Sequence, residues 1–84
     1  MDKLEYELVT LYNGKQYFVL ESVMYEYDIY DLILNVEDES DTKIVIQEIK
    51  NGKTVLSDVK DQYLLKTLGT MFKEKIESKQ NNIN

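Results

Sequence analysis

Eight carboxylates lie between Glu21 and Asp41, and no lysine interrupts them. They are Glu21, Glu26, Asp28, Asp31, Glu37, Asp38, Glu39 and Asp41, with the tyrosines Tyr25, Tyr27 and Tyr30 among them. Paired carboxylates can serve as general acid and base, clustered ones hold cations, and a spaced row imitates nucleic-acid phosphates. Catalysis fits this chain worst. It has no histidine and no cysteine, so neither a Ser-His-Asp nor a Cys-His pair can be assembled. Carboxylate-only glycoside hydrolysis needs a concave site, and a chain of 84 residues offers only a thin core. Gly14, Gly52 and Gly69 are isolated, so there is no phosphate-cradling loop. The expectation is a non-enzyme without a cofactor.

The run "NVEDESDTK" invites a calcium reading through Glu37, Asp38, Glu39 and Asp41. A calcium-binding loop of the EF-hand kind requires a central glycine and a distal glutamate at fixed spacing. Neither is present, and the run reads as a solvated acidic loop without a metal site. Binding of another protein fits better. The expected partner surface consists of Tyr25, Glu26, Tyr27, Asp28, Tyr30, Asp31, Glu37, Asp38, Glu39 and Asp41, with Tyr25, Tyr27 and Asp28 at its centre. Tyrosines on an exposed edge strand would bridge apolar contact and water, and a homodimer through that edge is a variant. The alternative is an inhibitor that mimics nucleic acid and occupies a basic groove.

The charge balance agrees with a basic partner. The net charge is −6, and every base is lysine. Residues 1–42 carry a net −9 and residues 43–84 a net +3. Direct nucleic-acid binding needs the opposite sign, and attachment to an anionic membrane is disfavoured for the same reason. The N-terminus lacks the apolar stretch of a signal peptide and no apolar run is long enough to span a bilayer, so a cytoplasmic location is expected.

The elements that must position these residues are legible from pattern. Asn13-Gly14 and Asn51-Gly52 stand between β-rich runs and predict two hairpins. The first pairs residues 5–12 with 15–23, Tyr17, Val19 and Val23 sharing a face. A strand over 27–36 follows, with a bend near Asp31. The phase slip between Ile46 and Ile49 predicts a bulge or a twist in the second hairpin. After Val59 the apolar period lengthens. Leu64, Leu65, Leu68, Met71, Phe72 and Ile76 form one helical face, with Lys75 inside it and required to snorkel. Asp58 reads as the helix N-cap. The expected architecture is α+β in a single domain: an antiparallel sheet of four or five strands over 5–58, a helix over 59–77, and a frayed tail over 78–84.

The stretches "YNGKQYFVLE", "KIVIQEIKNGKTVLSDVKDQYLL" and "FKEKI" resemble the YrzB-like family of short acidic bacterial proteins of unknown function. Asn13, Gly14, Lys15 and Tyr17 match its first turn. Asn51, Gly52, Leu56, Val59 and Asp61 match its second turn and helix start, and Phe72 and Lys73 its helix end. The resemblance spans roughly residues 5–77 and implies two hairpins around an acidic middle, then a helix. It implies no activity. The chain departs from the family in its tyrosine-rich 24–36, where the family's acidic loop is shorter.

Overall fold

Both Asn-Gly steps turn the chain. Gly14 has φ of 82°, and the Asn13 side chain accepts the Lys15 N–H at 2.9 Å. Asn51 and Gly52, at φ of 53° and 77°, close a two-residue hairpin of the kind whose twist suits antiparallel strands. The computed structural model describes residues 6–81. Within it, β1 (Glu7–Thr10), β2 (Gln16–Tyr25), β3 (Asp28–Asn35), β4 (Thr42–Lys50) and β5 (Lys53–Asp58) form one antiparallel sheet in sequential order, followed by α1 (Gln62–Asn81). The fold is therefore α+β, with five strands and one C-terminal helix. Glu5, expected in the first strand, lies outside the described residues.

A second two-residue hairpin joins β2 to β3 without glycine. Glu26 and Tyr27 make the turn at φ of 52° and 74°, a region that costs an L-residue roughly 1–2 kcal/mol. The sequence lacks an Asn-Gly signal here, which is why the expected strand begins only one residue off yet the turn itself is not foreseen.

The expected bulge between Ile46 and Ile49 is absent: β4 and β5 pair without interruption from Val45–Asp58 to Lys50–Lys53. Ile49 instead belongs to the opposite face from Ile46 and is exposed. The irregularity lies in β2 between Val19 and Glu21, and β3 shows no register break at Asp31. Skipping Leu20 reverses the side-chain phase. Tyr17 and Val19 thus face away from the helix while Val23 and Tyr25 face it, so Tyr17 and Val23 do not share a face.

The helix covers one side of the sheet. Leu68 and Phe72 pack with Tyr30, and around them lie Val23, Leu32, Ile44, Leu64 and Met71. Complete burial of Leu68 contributes roughly 2 kcal/mol. Lys75 reaches out of the buried arc to Glu21 and to the Ser22 carbonyl. The helix starts three residues later than expected. Asp61, not Asp58, is the N-cap: its Oδ1 accepts the N–H groups of Tyr63 and Leu64 at 2.9 and 3.2 Å. Asp58 is still in β5, where Tyr12 holds it. At the other end the helix runs through 78–81, where a frayed tail was expected.

A second cluster fills the opposite face: Leu11, Tyr17, Ile33 and Val45, with Val9, Val19 and Leu56 against them. Val9 and Leu56 belong to the two outermost strands, yet pack on one cluster. The sheet therefore curls into a half-barrel. Tyr12 Oη, just after β1, donates to Asp58 Oδ2 of β5 at 3.1 Å and closes one end of the gap between the outer strands.

Candidate functional site

The stretch from Tyr25 to Asp41 does not form one surface. Glu26, Tyr27 and Asp28 are exposed at the β2–β3 turn, and Tyr27 is 98% exposed. Tyr25 is half-buried against the helix, and Tyr30 is in the core beneath Leu68 and Phe72. Burial raises the Tyr30 phenol above its ordinary range, and the charges of Asp28 and Glu26 add to this. Asp31 is buried on the other face. Tyr30 and Asp31 therefore do not share one exterior surface with Glu26, Tyr27 and Asp28: alternation along a strand buries one against the helix and turns the other into the curl of the sheet. Nor is the segment an edge, because β3 is the central strand.

The acidic loop spends its polar groups on itself. Asp38 Oδ1 accepts from the Ser40 N–H at 3.0 Å and its hydroxyl at 2.6 Å. Asp41 Oδ2 accepts from Tyr17 Oη at 2.6 Å and Asn35 Nδ2 at 3.0 Å, and Asn35 Oδ1 accepts the Glu37 N–H. The Tyr17 and Asn35 bonds hold the Asp41 carboxyl below its ordinary range. Glu37 and Glu39 are exposed. Among the described residues no group of three or more carboxylates is arranged to hold a metal ion. Glu37 and Asp38 border a depression of about 480 Å³ beside Lys15 and Gln16.

The more structured site includes only Asp31 of the expected partner surface. It lies in the gap between β1 and β5, a groove of about 720 Å³. Val9, Leu11 and Leu56 form its walls, and Asp31 and Gln47 line its floor. Asp31 is only 3% exposed. Its carboxylate accepts from Ser22 Oγ at 2.6 Å and from Gln47 Nε2 at 3.0 and 3.1 Å. Both donors are neutral. No lysine among the described residues makes an ion pair with it.

The walls carry open backbone groups. The Leu11 N–H donates to Lys15 C=O at 3.0 Å, which places residues 7, 9 and 11 in hydrogen-bonded pairs with β2. Leu8 and Thr10 then turn their N–H and C=O away from the sheet. In β5 the turn pairs Lys50 with Lys53, so Thr54, Leu56 and Asp58 point theirs away from β4. Beyond the groove the same uncovered face exposes Met24, Ile29 and Ile49. The face opposite the helix is thus sealed at the Tyr12–Asp58 end and apolar and open at the other.

No helix among the described residues is long and apolar enough to cross a membrane. No protein-family model matches the chain, and no curated protein or solved structure matches it significantly.

Proposed function

We propose that the protein is a non-catalytic binding module that captures an extended segment of another protein in the gap between β1 and β5. The observation that carries this is the pairing of two open strand edges with an uncovered apolar face between them. An added strand would satisfy backbone groups on the edge and bury the apolar residues of the curl. The resemblance to the YrzB-like family fits a small acidic module but supplies no activity.

A second reading places the contact at the β2–β3 turn, because Tyr27 is fully presented there on a strained backbone. Mimicry of nucleic acid draws less support. It asks for acids in a row on one face, whereas Glu21 is paired with lysines and Asp31 is buried. Glu26 and Asp28 lie roughly 25 Å from Glu37 and Glu39, at opposite ends of β3.

Selection from a random heptapeptide library tests the proposal. Selected peptides should alternate apolar and polar residues. They should lose at least about tenfold in affinity on Thr54→Pro, which removes one open donor from an edge strand that tolerates proline. Tyr27→Ala should bind them as the wild type does. Peptides that ignore Thr54→Pro but are lost with Tyr27→Ala would transfer the site to the turn.

A further inference from the structure

We infer that the segment captured between β1 and β5 carries a lysine or arginine whose charged end reaches Asp31, flanked two residues away on either side by apolar side chains. The inference rests on the strand-capture reading and specifies its partner. Among the described residues the groove has two acids, Glu7 at its margin and Asp31 on its floor, and no base lines it. A buried carboxylate held by neutral donors keeps little hydration, and among the described residues Asp31 has no counter-charge. Ser22 and Gln47 fix its oxygens in place, so a cation entering the groove meets an oriented acceptor.

The flanking preference follows from the alternation of a strand. A residue that points at Asp31 has neighbours at two positions either way pointing into the same curl. Leu11 lies toward the sealed end, and Leu56, in register with Gln47, lies with Met24, Ile29 and Ile49 toward the open one. A long aliphatic stem on the basic residue also suits the apolar walls it must pass. The protein's net charge of −6 favours the approach of such a segment.

The probe is the peptide acetyl-Thr-Val-Thr-Lys-Thr-Val-Thr-amide, titrated into the isotope-labelled full chain while backbone amide shifts are followed. A second peptide replaces lysine with norleucine, which keeps the stem and removes the charge. The amides of Leu8, Thr10, Thr54 and Leu56 should shift, and the lysine peptide should bind about tenfold more tightly than the norleucine peptide. Asp31→Asn should bring the two within about twofold. Equal affinity of the two peptides for the wild type, with those amides shifting, overturns the charge inference and leaves strand capture standing. Absence of shifts at those amides with either peptide overturns both. Shifts that grow with protein concentration before peptide is added show that a second copy fills the gap, which also overturns the inference.

Discussion

Glu21 ties the helix to the sheet through two lysines. Its side chain is 9% exposed, and its oxygens meet Lys79 Nζ at 2.6 Å and Lys75 Nζ at 3.3 Å. Burial pushes its carboxyl up, but the bonds from Lys79 and Lys75 outweigh this and hold it below its ordinary value of 4.5. Asp41 is also held low, by Tyr17 and Asn35, below an ordinary 3.8. Lys43 lies over the Tyr17 ring at 5.3 Å and near Asp41 at 3.9 Å, extending that group. A carboxyl whose folded pKa is lowered stabilises the fold fully above its unfolded pKa. That contribution drains as the pH falls through the folded value. Urea midpoints should therefore be level near neutrality and decline below about pH 4. Combining Glu21→Gln with Asp41→Asn should flatten the decline, and Glu21→Gln alone should cost about 1 kcal/mol at pH 7. A double variant with an unchanged acid limb would show that other carboxyls govern it.

Among the elements, the hairpins differ in how openly they announce themselves. Two carry Asn-Gly and were legible because the residue types match the backbone geometry the turn requires. Glu26-Tyr27 adopts the positive-φ geometry of Asn51-Gly52 with residues that resist it, so no local signal marks it; the pairing of β2 with β3 imposes it. Tyr27→Gly should relieve this and raise stability by about 1 kcal/mol, read as an increased urea midpoint with an unchanged slope. A lowered midpoint would mean that the Tyr27 side chain supports the turn despite its exposure. The β2 bulge was hidden for a related reason. Apolar residues lie on both sides of it, so a one-residue slip leaves the pattern looking continuous. The helix was legible through its 3.6-residue period, but its start was misplaced because Asp58 and Asp61 are both acceptable caps. Only the course of β5 decides between them. Individual acids were visible in sequence, whereas the groove was not. It is lined by residues from Glu7 to Leu56 and exists only because the sheet curls.

At the scale of the whole molecule, that curl turns two edges into a site, and one contact fastens its sealed end. Tyr12 and Asp58 are 46 residues apart, and their hydrogen bond joins the outer strands. The bond to Asp58 raises the Tyr12 hydroxyl above its ordinary value of 10.0, with the Asp58 charge acting in the same direction. A group whose folded pKa is raised contributes fully below its unfolded pKa and loses that contribution as the pH rises through the folded one. The fastening should thus hold through neutrality and release only in alkali. Tyr12→Phe keeps the ring and removes the bond at every pH. Because Tyr12 is largely exposed, global stability should change little. The effect should be local, since outer strands open at lower free energy than the core. Amide exchange at pH 7 should quicken at Val9 and Leu11, whose N–H groups bond across to β2, and stay slow at Ile33 and Val45. Quickening at all four would mean that the contact supports the entire sheet. Unchanged exchange at Val9 and Leu11 would mean that the apolar packing of Leu11 with Leu56 holds the half-barrel closed without it.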